Sequence, residues 1–316
     1  MFTVIGESLV DIIEAPARGT ARQIHPGGSP LNVAVGSARL GLPTTLITHF
    51  ADDAHGHLID DHLRGNNVEA IVGGSFPTSS AAALLDGSGA AGYTFSIHWD
   101  INGASIPALA AVESALHVHT GSIAAVLAPG NKTVLGLVEA ARPHATVSFD
   151  PNCRPAISGD IEAARQEVEG FVAASDIVKA SDEDLLWLYP GRTVEDSLAA
   201  WLELGPAMVA LTRGADGPVI LTRRGRVEMP AEAIKVADTV GAGDSFMAAL
   251  ISGLAQLDAL GAVNRPRLQD LATAQLHALA AYANRAAAIT CSRPGANPPT
   301  AAELGPLTGT PTTAES

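Results

Sequence analysis

The run Asp238-Thr239-Val240-Gly241-Ala242-Gly243-Asp244 leads straight into the apolar stretch 245–254. Two acids bracket a turn made of small residues, and the second acid falls in the first turn of a predicted helix. Glycines at 241 and 243 let the backbone approach a ligand closely and take conformations a Cβ would forbid. The following helix aims its free N–H groups and positive dipole end at that turn, which favours a phosphate there. A carboxylate beside an anion cradle is what phosphoryl transfer to a hydroxyl requires. It accepts the alcohol proton while fixed donors meet the developing phosphate charge. The segment predicts a small-molecule kinase.

Two familiar phosphate motifs are excluded by the letters. A dinucleotide fingerprint needs a third glycine where this chain has Phe246. A Walker A loop needs Gly-Lys-Ser/Thr after four free positions, and the chain has none. A Gly-rich turn can also open a helix with no ligand at all, so the turn needs support from the elements around it.

Those elements read as strands alternating with helices. Phe2 to Ile5 is a buried strand, and Ser29-Pro30 opens an amphipathic helix through Leu40, with Ser29 as N-cap and Gly41 ending it. Strand Thr44 to His49 and helix Ala54 to Arg64 follow. Further short strands are expected at Ala115–His119, Thr146–Phe149, Asp176–Val178 and Met208–Leu211. Such alternation predicts a mostly parallel central sheet covered by helices on both faces, an α/β/α arrangement. Asp150, Lys179 and Thr212-Arg213-Gly214 each follow one of these strands. Polar groups at strand carboxyl ends converge on one rim, where ligands of such sheets bind. Segments 12–25 and 78–98 break the rhythm and read as a small β lid, with Asp86-Gly87-Ser88-Gly89 as its turn. The core then comprises 1–11, 26–77 and 99–300, and 301–316, rich in Pro, Thr, Gly and Ala, is expected to be disordered.

Composition narrows the class. Hydrophobic residues make up 47% of 316, enough for a large core. A formal charge of −14, with no Lys/Arg run, speaks against nucleic acid as a partner. Cys153 and Cys291 form no metal or redox spacing, so free thiols are expected. The N-terminus lacks the basic start of a signal peptide and no apolar run reaches membrane length, which predicts a soluble cytoplasmic protein without a membrane partner.

Two stretches carry a resemblance to the ribokinase-like (PfkB) carbohydrate kinases. Gly27-Gly28-Ser29-Pro30-Leu31-Asn32-Val33-Ala34, with Arg39-Leu40-Gly41, is similar to the family's N-terminal signature, and Asp238 to Asp244 to its C-terminal one. The likeness runs from Gly6-Glu7 to about Pro299. It implies a ribokinase-like fold with a small lid sheet and transfer of a phosphoryl group from ATP to a sugar. Asp244 would be the catalytic base, and Gly241, Ala242 and Gly243 the anion hole. Asp11, Gly28 and Asn32 would hold the sugar hydroxyls, joined by Arg154, whose fork suits oxyanions. Lys179, Thr212, Gly214, Gly217 and Asn284 would serve the nucleotide. The resemblance also implies Mg²⁺, and a potassium-like ion at Asp238, Val240, Thr290, Arg293 and Gly295.

One departure stands in the middle of the chain. Where the family usually has Asn-x-x-Glu, this sequence has Ser181-Asp182-Glu183-Asp184. Asp184, with Glu183 adjacent, would take the Mg²⁺ role, while a helix start capped by Ser181 explains the same letters without a metal. Asp150-Pro151-Asn152-Cys153-Arg154-Pro155 and Gly6 to Asp11 are similar to fructokinases and 2-keto-3-deoxygluconate kinases. Fructose is therefore the first expectation, the keto acid the second and ribose the third. Tyr93, Phe95, His98 and Trp99 are expected to close over the sugar, and the lid edge could pair two copies into a homodimer. A sensor that kept the fold without catalysis is the rival; it would be expected to lose Asp244 or the glycines. His55, His57 and His62 among Asp52, Asp53, Asp60 and Asp61 read as a solvated acidic helix, and His117 and His119 as buried packing residues.

Overall fold

The computed structural model describes residues 1–15, 20–85 and 91–308. Thirteen strands are seen among them: β1 (Phe2–Ile5), β2 (Leu9–Ala15), β3 (Thr20–Gly27), β4 (Thr44–Thr48), β5 (Val68–Val72), β6 (Ser79–Leu85), β7 (Ala91–Ser96), β8 (His117–Gly121), β9 (Thr146–Asp150), β10 (Ile177–Ser181), β11 (Met208–Thr212), β12 (Val219–Thr222) and β13 (Gly225–Glu228). The main sheet runs β13-β12-β11-β10-β9-β8-β1-β4-β5. It is parallel from β11 to β5, and β12 and β13 add an antiparallel hairpin at one edge. Helices cover both faces, so β1, β4, β8 and β9 are buried at every position.

Strand order reverses at β1. The chain passes from β1 to β4 and β5 on one side, then returns to build β8 to β11 on the other. Crevices at such reversals hold the ligands of open α/β sheets. The strand ends meeting there carry Glu7, Asp150, Lys179 and Thr212. Asp150, Lys179 and Thr212 lie inside their strands rather than after them, because β9, β10 and β11 each run one to three residues further than apolar content suggests.

A second sheet, β3-β2-β6-β7, stands apart from the first. Its pairing begins at Leu9↔Gly27 and reaches Ser80↔Ser96, so it takes in Asp11 and exceeds the expected 12–25 segment at both ends. Val10, Ile12, Ile24 and Ala82 pack one face onto Leu31, Ile59 and Leu63. Residues 86–90, including the expected Asp-Gly-Ser-Gly turn, lie outside the described residues, as do 16–19.

Two expectations are corrected. The helix Ser29–Arg39 is capped by Gly28 at φ +111°, not by Ser29, whose hydroxyl is used elsewhere. Of the 301–316 tail expected to be disordered, Ala301–Leu304 is a helix with a Thr300/Glu303 capping box, and Leu304 is buried against the helical layer. Residues 309–316 lie outside the described residues. No helix among those described is long and apolar enough to cross a membrane.

Candidate active site

Gly241 takes the left-handed conformation at φ +74° and caps the helix Ala242–Gln256, which puts Asp244 in the first turn. A Cβ on Gly241 would stand 2.7 Å from that of Ala296, so the turn is closed from behind as well as by its dihedrals. Asp244 is 7% exposed. Its Oδ1 accepts a hydrogen bond from Ser29 Oγ at 2.7 Å, and its Oδ2 one from Asn32 Nδ2 at 2.8 Å. The two bonds fix the plane of the carboxylate across more than two hundred residues of chain. Ser29 is the member that reading the sequence misses: a Ser before Pro at a helix start looks like a cap, and no local signal marks its distant partner.

Beside this turn lies a buried ion pair. Lys179 Nζ sits 2.8 Å from Asp150 Oδ2, and a Cβ on Gly243 would approach the same ammonium to 2.8 Å. Burial pushes the Asp150 carboxyl up to about 6; Lys179 opposes this, while Asp184 and Asp244 reinforce it. The Lys179 pKa ends above its ordinary value: burial, the largest effect, acts to lower it, but Asp150, Asp184 and Asp244 together outweigh it. Three buried carboxylates thus share one ammonium. That excess of negative charge suits a hydrated divalent cation, and the ammonium beside the Gly243 turn suits a phosphate, so the residues present fit Mg²⁺ arriving with a nucleotide. No three His, Cys, Asp or Glu side chains among the described residues converge to hold a metal unaided.

Asp184 is already engaged by protein donors. Its Oδ1 accepts from Cys153 N at 2.7 Å, and its Oδ2 accepts from Ser181 N at 2.8 Å and Ser181 Oγ at 2.7 Å. The capping box is therefore real, and the Cys153 bond to Asp184 ties the turn after β9 to the end of β10. Glu183 is exposed. Burial, then Asp184, holds the Cys153 thiol far above its ordinary range, which disfavours the thiolate.

The residues expected to hold the sugar stand around β1 and β2. Gly28 is left-handed, and a Cβ there would come within 2.6 Å of the Glu7 carbonyl oxygen. Gly27 is needed just as closely, since a Cβ there would stand 2.2 Å from Asp11 Oδ2. Burial raises the Asp11 carboxyl, and Arg154 and His25 pull it back. Arg154 is exposed; its Nη1 donates to Asn152 O, Asn152 Oδ1 and Cys153 O at 2.9, 2.7 and 3.0 Å. Trp99 is 2% exposed and belongs to the core with Ile5, Ile47 and Phe149, so it does not close over a sugar as expected. His98 stacks on Phe76 with ring centroids 5.0 Å apart, joining the segment after β7 to the one between β5 and β6. The side chain of Tyr93 lies outside what the structure describes.

Glu7 itself is fully buried and accepts from Ala124 N at 3.1 Å, bridging β1 to the turn after β8. Burial raises its carboxyl from 4.5 to about 7, although Ser122, Ala124 and Arg154 pull the other way. The folded protein therefore keeps a proton that the unfolded chain releases between those values, and stability falls as pH rises through that window. Relative to wild type, Glu7→Gln should gain on the order of 2 kcal/mol between pH 5 and pH 8 in denaturant unfolding. An equal gap at both pH values would contradict the shift.

Of the expected nucleotide residues, Gly217 and Asn284 come together. A Cβ on Gly217 would meet Met229 O at 2.2 Å and Ala231 N at 2.5 Å, and Asn284 Nδ2 donates to Pro230 O at 2.9 Å. Gly217 and Asn284 thus back onto the same 229–231 segment. Thr212 ends β11 and Gly214 begins the turn after it. Of the cation set, Asp238 accepts from Val240 N at 3.1 Å and from Gly295 N at 2.8 Å. Thr290 donates to Ser245 Oγ at 2.7 Å, while the Arg293 side chain turns to Glu303 at 2.6 Å. His117 and His119 share Ser148 Oγ inside the sheet, and burial holds both at about 3, hence neutral. His57 pairs with Asp52 at 2.7 Å on the surface.

Known proteins resemble this chain in sequence and fold. The chain is 34% identical over 262 residues to a fructokinase of Rhizobium leguminosarum bv. trifolii, covering 80% of this chain and 79% of the other. A probable fructokinase of Arabidopsis thaliana is 30% identical, covering 96% and 94%. Among solved structures, an uncharacterized sugar kinase from Pyrococcus horikoshii superposes with a TM-score of 0.77 at 28% identity, over 96% of both chains. A fructokinase with bound ATP from Xylella fastidiosa gives 0.84 at 23% identity, again over 96% of both chains. With a buried carboxylate at a helix start, a glycine turn beside a buried ammonium, and a match over residues 1–303, the chain belongs to the pfkB family of carbohydrate kinases.

Proposed function

We propose that this protein is a fructokinase, transferring the γ-phosphoryl group of ATP to a hydroxyl of D-fructose. The observation that carries the reading is the Asp244 carboxylate, held in plane by Ser29 and Asn32 beside the Gly241–Gly243 turn. Asp244 takes the hydroxyl proton, and the backbone N–H groups of Gly241, Ala242 and Gly243 meet the charge that develops on the phosphoryl oxygens. Asp11, Gly28 and Asn32 orient the sugar, with Arg154 at its far end. Lys179 faces the phosphates, and Thr212, Gly214, Gly217 and Asn284 wall the nucleotide. Mg²⁺ bound with ATP neutralises phosphate charge, with Asp184 rather than the exposed Glu183 placed to hold its waters. A potassium-like ion would sit at Asp238, Val240, Thr290, Arg293 and Gly295, beneath the turn.

Fructose rather than another sugar is supported by the Gly27–Pro30 and Asp150–Pro155 stretches and by the fructokinases among the relatives. The test is ATP-dependent phosphorylation of D-fructose, 2-keto-3-deoxygluconate, D-ribose and adenosine. It is run on protein whose mass in solution is expected at twice the 32.2 kDa chain, through pairing of the β3-β2-β6-β7 sheets. A clear preference for fructose is the expected result. Preference for the keto acid or ribose replaces the substrate and leaves the chemistry, and a monomer removes the lid dimer. ATP binding without turnover on any sugar would return the sensor reading.

A further inference from the structure

The helix Ser29–Arg39 is fastened to the catalytic turn at both of its ends. At its start Ser29 and Asn32 hold the Asp244 carboxylate. Midway, Gly36 lets the two helices close up, since a Cβ there would stand 2.8 Å from that of Ala248. At its end Arg39 reaches the far part of the chain: Nη1 donates to Asn297 Oδ1 at 2.6 Å and to Pro298 O at 2.8 Å. Nε donates to Asn66 Oδ1 at 2.7 Å, on the opposite side.

The segment that Arg39 grips is the one behind the glycine turn. Ala296 fills the space a Gly241 Cβ would need, and Gly295 N donates to Asp238 Oδ2 at 2.8 Å. A continuous series of contacts therefore runs from the base through the helix to Arg39, then through 297–298 to Gly241. We propose that Arg39 is a positioning residue for phosphoryl transfer, holding the 295–298 segment against the Gly241 turn and so setting the anion hole relative to Asp244. The inference rests on the reading of Gly241–Gly243 as the anion hole. Its physical basis is the steepness of phosphoryl transfer with geometry: a displacement of one ångström at the reacting atoms can cost about a hundredfold.

The test compares Arg39→Met, Arg39→Lys, Asn297→Ala and Asn66→Ala with wild type, well below their melting temperatures. Arg39→Met should lower kcat about tenfold while the KM values for sugar and ATP stay within about twofold, a loss confined to the transition state. Arg39→Lys, a single point charge that cannot span both acceptors, should fall between. Asn297→Ala should lower kcat in the same direction, and the Arg39→Met/Asn297→Ala pair should lose no more than Arg39→Met alone, because both act in one chain of contacts. Asn66→Ala removes the arm that leads away from the turn and should lower the melting temperature with kcat unchanged. Full kcat in folded Arg39→Met, or in Asn297→Ala should the former fail to fold, would reduce Arg39 to a structural clamp and overturn the proposal. The anion-hole reading fails separately, by full turnover in a Gly243 variant, whatever Arg39 does.

Discussion

Asp244→Asn is expected to fold as wild type and to lose about 10² to 10⁴ of kcat, the range a general base contributes. The fold survives because the new amide finds partners. Its oxygen can accept from Asn32 Nδ2, and its NH₂ can donate to Ser29 Oγ once that hydroxyl rotates to accept. Lys179 keeps its main partner, Asp150, at 2.8 Å. What disappears is the only property the amide cannot supply, a lone pair basic enough to take the hydroxyl proton. Sugar and nucleotide affinity should change little, since neither depends on that proton. Steady-state kinetics on the preferred sugar, with a melting curve alongside, give the answer. Turnover within tenfold of wild type would move the base elsewhere, and a large fall in melting temperature would make the loss uninterpretable as chemistry.

The turn Gly241–Asp244 is legible in the sequence because its causes are local. Gly241 must be left-handed, Asp244 belongs to a helix start, and both facts lie within a few letters of each other. The same holds for Ser181 and Asp184, where cap and acid are neighbours and the box forms as the letters imply. The partner of Asp244 is another matter. Ser29 lies 215 positions away, and its hydroxyl serves a local cap or a distant carboxylate with identical sequence. Arg39 and Asn297 pose the same difficulty at a separation of 258. The β12–β13 hairpin escapes because its Thr222–Gly225 turn carries arginines in place of a strong hairpin pair. Ala301–Leu304 is a different kind of miss: Thr300-Ala301-Ala302-Glu303 spells a capping box, and the surrounding Pro, Thr and Gly outweigh it. Trp99 reads as a lid aromatic by its place after β7, yet burial in the core decides its role.

Gly243→Ala and Gly241→Ala, the same change two positions apart, should separate activity from stability. At Gly243 the backbone is not left-handed, so alanine is compatible with the first turn of the helix. The added methyl meets only Lys179 Nζ, at 2.8 Å. An ammonium at the end of a flexible chain moves readily, and a small shift keeps this one within hydrogen-bond reach of Asp150. Folding should therefore change little, while the donor facing the transferred phosphate is displaced and kcat falls about a hundredfold, as for loss of an oxyanion donor. At Gly241 the methyl is forced into φ +74° and to 2.7 Å from the Ala296 Cβ. The left-handed strain costs roughly 1 kcal/mol or more and the collision adds to it, so that variant should lose both melting temperature and turnover. Thermal melts and kcat for the pair decide the matter. A Gly243→Ala enzyme as active as wild type would show that phosphate does not sit at this turn, whereas a Gly241→Ala enzyme of full stability would show that the 295–298 segment yields freely.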